Sequence, residues 1–218
     1  MSPHMKLISV NVGATRLIEY NGKTFRTGIF KSPVLGPVSV GRTEVQGDGQ
    51  ADLDSHGGVD KAVYLYPAEH YPFWRRELCE EIPESGSFGE NLTTEGLLED
   101  AVCIGDTFKV GTTVVQVTQP RTPCYKLAAR FSRSDLPGRF LKSMKSGFYL
   151  RVLEPGHLMA GDRFSLCARD VHPITVSHVA RVYHFRSRDR CAIEEILENH
   201  SLSVEWRDAF EKRLDSIA

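Results

Sequence analysis

Over the first three quarters of the chain, apolar and polar positions alternate in short runs, each closed by glycine or proline. Lys6 to Val12 (KLISVNV) predicts a strand ending at Gly13. Thr15 to Tyr20 and Lys23 to Phe25 flank Asn21-Gly22, two residues that tolerate positive φ, and so predict a tight hairpin. Val34 to Val40, Ala62 to Tyr66, Leu92 to Thr94, Val102 to Ile104, Thr107 to Val110, Thr112 to Val117, Phe148 to Leu153 and Arg163 to Leu166 read as further strands. Turn signals every 8–12 residues or so imply a closed or sandwiched β core. Helices are predicted from Pro67 to about Glu81, with Pro72 kinking or restarting the first, from Cys124 to Phe131, and around Leu136 to Lys145.

After His172-Pro173 the period changes. Val176, Val179, Ala180 and Tyr183 recur at helical spacing, as do Ile193, Ile196 and Leu197, and then Trp206, Phe210 and Leu214. Asp189 and Ser203 are placed to cap the second and third of these helices. The expected organisation is a β domain over residues 5–168 and a three-helix domain over 171–218. So short a bundle has little stability of its own and is expected to dock on the β core or on another subunit. The fold class is mainly β (α+β), a barrel-like core with a few helices.

Composition narrows the function. The 218 residues carry 27 Lys and Arg against 28 Asp and Glu, a formal net charge of -1. That balance gives no global field for gripping a phosphate backbone or an acidic membrane. No stretch approaches the ~20 apolar residues of a membrane helix, and no leader is recognisable. Five cysteines without a CxxC pair argue against a disulfide framework or a structural zinc site. A cytoplasmic protein, monomeric or homodimeric, is expected.

The most informative stretch is Thr113 to Phe131, TVVQVTQPRTPCYKLAARF. Pro120 and Pro123 stiffen the turn before Cys124, a helix begins there, and Arg121 and Lys126 lie close in sequence. Each feature favours the thiolate, which attacks electrophiles and ligates soft metals. The alternative is a buried cysteine acting as a small hydrophobe. Cys79, Cys103, Cys167 and Cys191 lie in apolar or helical patterns and read as structural. In DSHGGVDKA (54–62), paired glycines ahead of a strand could curl backbone amides around an anion, with His56 and Lys61 adding charge, or simply form a turn. FGENL (88–92) offers Asn91 to a polar ligand or serves as a turn. TGIFKSPV (27–34) places Lys31 and Ser32 in a loop, where they could hold phosphate or be solvated.

Taken together, TGIFKSPV, VQGDGQADLDSHGGVDKAVYLYPAEHY, FGENLTTEGL, IGDTFKVG and VQVTQPRTPCYKL resemble the MOSC family (molybdenum cofactor sulfurase C-terminal domain), most closely its YiiM-type bacterial branch. The tail after His172 is similar to the three-helix module of that branch. The resemblance implies a β-rich core holding a molybdopterin-type molybdenum cofactor. Cys124 would be the catalytic residue and the thiolate ligand to the metal. Lys31 and Ser32 would hold the pterin phosphate, and His56, Gly57, Gly58, Asp60 and Lys61 would line the pocket. Asn91 and Arg121 would contact the pterin or the metal's oxo ligands. More distant amidoxime-reducing relatives carry an arginine near the position of Gly89.

This branch is associated with reduction of N-hydroxylated compounds, including hydroxylamino-purines, a detoxifying reaction. No dinucleotide or flavin motif is present, so electrons are expected from a separate reductase. A second reading is a carrier or handling protein for the cofactor or its sulfur. A third gives the helical tail the main role, as a dimerisation or partner-docking surface.

Overall fold

The computed structural model describes residues 5–51 and 57–217. A curled mixed sheet has the order β12-β8-β9-β10-β6-β7-β1-β4. In chain order these strands are β1 (Lys6–Val12), β4 (Ser32–Pro33), β6 (Val63–Pro67), β7 (Leu92–Glu95), β8 (Thr107–Val110), β9 (Thr113–Pro120), β10 (Phe148–Glu154) and β12 (Phe164–Ala168). Among the described residues only β6 and β7 run parallel. The sheet curls back on itself: Phe164 donates its amide to Met5 O at 3.0 Å and Leu7 donates to Asp162 O at 2.8 Å, so the start of β12 meets the start of β1. The expected barrel-like core is therefore present. Two small additions complete it, the hairpin β2 (Arg16–Tyr20) with β3 (Lys23–Thr27), and β5 (Val38–Val40) paired with β11 (Gly156–Leu158).

Strand β6 shows how sequence places the core. All five of its residues are buried, because alternate side chains enter different clusters. Val63 and Leu65 face the aliphatic barrel interior with Leu7, Leu92, Val115 and Leu150. Tyr64 and Tyr66 enter an aromatic cluster with Tyr71, Trp74, Phe88 and Phe140. A strand covered on both faces has no polar side to show, hence the run AVYLYP. Trp74 Nε1 donates to Tyr66 Oη at 2.7 Å, satisfying the indole inside this cluster.

The connections hold the helices α1 (Tyr71–Leu78), α2 (Tyr125–Phe131) and α3 (Leu136–Ser143). Four expectations need correction. The segment read as one helix from Pro67 to Glu81 is a 3-10 turn, Ala68–His70, followed by α1. Pro72 sits in the first turn of α1, where its missing amide costs nothing, and Cys79 ends the helix at φ +51°. The strand predicted over Val34 to Val40 breaks at Gly36, whose φ is +79°, leaving only β5 of it, while β4 lies just before it. Val102 to Ile104 is a turn with a single bridge from Cys103 to Thr175, because these residues pair with the incoming tail. Of the four cysteines read as structural only Cys103 is buried; Cys79, Cys167 and Cys191 are at the surface, and all are free thiols.

The C-terminal helices α4 (Val176–Phe185), α5 (Arg190–Leu197) and α6 (Val204–Ile217) dock on the barrel. Val176, Val179, Ile193, Ile196, Trp206 and Phe210 belong to the same buried cluster as the barrel interior. Asn199 seals the joint, donating to Ile104 O at 3.1 Å and His172 O at 2.9 Å. Ser203 donates its amide to Thr118 O of β9 at 3.1 Å. Asp189 and Ser203 accept from the amides of Ala192 and Trp206, as caps do.

Within this module His184 lies edge-on to Tyr183 and Trp206. Burial, with the nearby Arg213 cation, pushes its imidazole down to about 4. A group depressed in the folded state is stabilising above its unfolded value of 6.5, and that contribution is lost as pH falls toward 4. Urea-denaturation midpoints should therefore fall between pH 6.5 and 4 more steeply in the wild-type protein than in His184→Gln. Equal slopes would remove His184 as the cause.

Candidate active site

A cleft of about 650 Å³, open on one side, lies over the aromatic cluster. Its wall is built from the end of β3 (Thr27, Gly28, Ile29), the loop Asp48 to Ala51, Lys61, Tyr64 of β6, Phe88-Gly89, Asn91, Arg121, Cys124, Lys126 and Tyr149 of β10. Among the described residues four cations, Lys31, Lys61, Arg121 and Lys126, line it together with one carboxylate, Asp48. The chain as a whole has a net charge of -1, so the positive field is local.

Cys124 stands at the cleft because Pro123 and the end of β9 deliver it there in extended geometry, φ −127° and ψ 175°. Its carbonyl accepts from Leu127 N at 3.0 Å and opens α2. Arg121 is only 6% exposed. Its guanidinium carbon lies 5.1 Å from the Tyr64 ring centroid and 5.2 Å from that of Phe140. Among the described residues no carboxylate pairs with it, and Nη1 is buried without a hydrogen-bond partner. Burial opposes its charge, but Tyr64, Tyr149 and Cys124 beside it more than compensate and hold the guanidinium above its ordinary range. Burial in turn pushes the Tyr149 hydroxyl up, with Arg121 opposing.

A chain of hydrogen bonds fixes Arg121 from behind. Its amide donates to Gly147 O at 3.1 Å, and Gly147 N donates to Glu99 Oε1 at 2.7 Å. The other carboxylate oxygen of Glu99 pairs with His70 Nε2 at 2.7 Å. Gly147 is at φ +66°, and a Cβ there would lie 2.3 Å from Leu65 O. Only glycine fits that position.

Lys31 lines the cleft but is paired with Asp48, both side chains being nearly buried. Burial pushes its ammonium below the usual lysine range, against the pull of Asp48. Asn91 also lines the cleft, yet its amide is engaged within the protein. Nδ2 donates to Asp48 Oδ2 at 2.9 Å, and Oδ1 accepts from Tyr64 N at 3.1 Å. Ser32 is exposed in β4 and lies outside the cleft, because strand pairing with Val12 turns it away from Lys31. Asp60 is not in the wall either. It pairs with Arg151 Nη2 at 2.9 Å and accepts from Val204 N at 3.2 Å, tying the tail to the barrel. Lys61 does line the cleft and also pairs with Glu205 of α6. Gly57 and Gly58 precede the 3-10 turn Val59–Lys61 and are not in the wall. His56 lies outside the described residues.

Several wall residues escaped sequence reasoning. Gly28 and Gly49 cross so closely that a Cβ on Gly28 would lie 2.0 Å from Gly49 O. The signal was GDGQ, whose glycines flank Asp48. Glu90 was read only as part of a turn, yet it is fully buried. It accepts from Gly86 N at 2.7 Å, Phe88 N at 3.1 Å, Thr93 Oγ1 at 2.9 Å and the Tyr71 hydroxyl. Burial pushes its carboxyl up while these hydrogen bonds pull it down. Its role is to shape the Phe88-Gly89 wall.

Comparison with known proteins identifies the architecture. The model for the MOSC domain matches residues 52–165, and that for the YiiM-like, 3-alpha helix domain matches residues 174–216. The chain belongs to the MOSC-domain family. The uncharacterised protein YflK of Bacillus subtilis (strain 168) is 44% identical over 97% of this chain and 95% of its own. The crystal structure of YiiM from Geobacillus stearothermophilus superposes with a TM-score of 0.82 at 37% identity, covering 96% of this chain and 99% of that one. A protein named Reductase in Gibberella moniliformis (strain M3125 / FGSC 7600) is 36% identical over 83% of this chain, but the match spans 32% of that longer protein. Membership in the MOSC family carries a molybdenum-related role. Among the described residues no helix is long and apolar enough to cross a membrane.

The buried Lys31–Asp48 pair yields a prediction. Removing one partner leaves an uncompensated buried charge, a cost of about 3–5 kcal/mol. Asp48→Leu and Lys31→Met should each lower stability on that scale in urea denaturation, while the double variant costs clearly less than their sum. Strict additivity would mean that the ion pair is not what holds this loop.

Proposed function

We propose that this protein is a molybdenum-cofactor-dependent oxidoreductase that reduces N-hydroxylated compounds, such as hydroxylamino-purines, to the corresponding amines in the cytoplasm. The observation that carries the reading is the shared cleft of Cys124 and Arg121, whose buried Nη1 has no partner among the described residues. A buried donor without an acceptor is costly, and an anionic or oxygen-bearing ligand would supply one.

The residues fit a molybdopterin-type group. A soft sulfur ligand is available at Cys124. Lys61, Arg121 and Lys126 offer charge complementary to a phosphate and an anionic metal centre, while Lys31, held by Asp48, fixes the loop beside them. The Gly28–Gly49 crossing, too close for a Cβ, binds two segments of the cleft wall together. When bound, such a group supplies the two-electron chemistry that accepts oxygen from an N–OH bond.

The remaining work falls to the chain. Overall the N–O bond breaks, and two electrons and two protons yield the amine and water. Arg121, fixed through Gly147 and Glu99, presents Nη1 to a developing negative oxygen. The Tyr149 ring, 5.3 Å from that of Tyr64, gives a planar base a wall to lie against. The Tyr149 hydroxyl, kept protonated by burial, holds a proton at the cleft. No flavin or dinucleotide motif is found in the sequence, so the electrons come from a separate reductase.

Protein made in cofactor-competent cells should contain near-stoichiometric molybdenum by elemental analysis. Cys124→Ala should lose it, whereas Cys79→Ser and Cys191→Ser, altered at exposed thiols, should keep it. Loaded protein given a chemical reductant should convert a hydroxylamino-purine to the amine. Full loading without turnover would favour the carrier reading instead. Turnover with NADH or NADPH alone would remove the need for a reductase.

A further inference from the structure

Beside the cleft, the β2–β3 hairpin stands apart from the large sheet, paired only with itself. Its ladder sets Arg16 opposite Thr27, Leu17 opposite Arg26 and Tyr20 opposite Lys23. Phe25 packs edge-on to Tyr125, ring centroids 4.8 Å apart. Tyr125 follows Cys124 directly, and Thr27 lines the cleft. The hairpin is therefore part of the cleft's rim.

This rim is cationic. The guanidinium of Arg16 lies 3.4 Å from the Phe30 ring centroid, and that of Arg130, at the far end of α2 from Cys124, lies 4.9 Å from the same centroid. Burial and the neighbouring Arg16 both push the Arg130 guanidinium down, which marks a crowded pair of like charges. Among the described residues Arg16, Lys23, Arg26 and Arg130 form no ion pair, and Arg130 Nε is buried without a hydrogen-bond partner. Among the described residues opposing charge near the hairpin is sparse: Glu19 on β2 and Glu80, which pulls on Arg130 from a distance. The ladder's alternation puts Arg16, Lys23 and Phe25 on one face of the hairpin and Leu17, Glu19 and Arg26 on the other. Each face carries one large exposed apolar side chain, Tyr125 at 54% beside Phe25 and Leu17 at 62% beside Arg26.

We propose that this projecting hairpin rim, with Arg16, Lys23 and the neighbouring Arg130 on the side of Tyr125 and Arg26 with Leu17 on the other face, is the docking surface for an acidic partner protein, the flavin- or iron–sulfur-carrying reductase that supplies electrons to the cleft. The identity of that partner rests on the function proposed above; the charge of the surface does not. A cationic ribbon with exposed apolar side chains favours rapid, salt-sensitive association. It also brings an electron donor up against the segment that carries Cys124.

The test compares cofactor-loaded wild-type protein with K23E/R26E, which leaves the cleft wall untouched. R181E/R188E, exposed arginines on and beyond α4, makes the same total charge change elsewhere. The probe partner is reduced flavodoxin, an acidic FMN protein. By surface plasmon resonance, wild type and R181E/R188E should bind it with affinity that falls as salt rises, and K23E/R26E should bind at least about 10-fold more weakly. Flavodoxin-driven reduction of a hydroxylamino-purine should follow the same order through KM for flavodoxin, while rates with dithionite-reduced methyl viologen stay equal in all three. Failure of wild type to bind, or equal weakening in both variants, would overturn the docking surface. Loss of methyl viologen turnover in K23E/R26E alone would overturn it too, since the defect would then lie in the cleft. Salt-sensitive binding weakened only in K23E/R26E, with no turnover by any donor, would sustain the surface and defeat the reductase reading.

Discussion

The structure is organised around one expensive act, the burial of the Arg121 guanidinium. A cation removed from water without a carboxylate partner is normally neutralised or relocated. Here neither happens. Aromatic rings of Tyr64 and Phe140 face it, its backbone is pinned to Gly147, and Gly147 is pinned to a buried Glu99–His70 pair. The aromatic cluster beneath the cleft and the glycine at φ +66° both serve to deliver this charge to one place.

A second polar system does the same on the opposite wall. Asp48 receives Lys31, Asn91 and the amide of Gly13, the last at 3.0 Å. Glu90 receives two backbone amides and two hydroxyls. Both carboxylates are largely saturated by neighbours, so they stiffen the wall. Arg121 keeps a donor unspent. The contrast between saturated and unsaturated groups separates the scaffold of the cleft from the part able to engage a ligand.

Much of this was legible in the sequence. Strands with clear alternation and firm turn residues, such as β1, β8 and the Asn21-Gly22 hairpin, fall within a residue or two of where the pattern placed them. The caps at Asp189 and Ser203 were readable because a short polar side chain just before an apolar helical run has few other uses. Cys124, Lys31, Lys61, Asn91 and Arg121 do converge on one cleft. What could not be read was pairing. Nothing local says that Lys31 is answered by Asp48, or that Asp60 serves the tail rather than the pocket. Those facts come from segments brought together only by closure of the barrel. Val102 to Ile104 was misread for the same reason, because its partner strand is replaced by residues about seventy positions later.

The attachment of α6 couples the helical module to the cleft. Ser203 and Val204 reach back to Thr118 and Asp60, and Glu205 meets Lys61. Among the described residues, one cation of the cleft wall therefore has its counter-ion in the helical module and not in the barrel. Lifting that module off the barrel would strip Lys61 of that carboxylate and leave the cleft mouth more positive, so docking of the module sets part of the charge that an incoming anion meets.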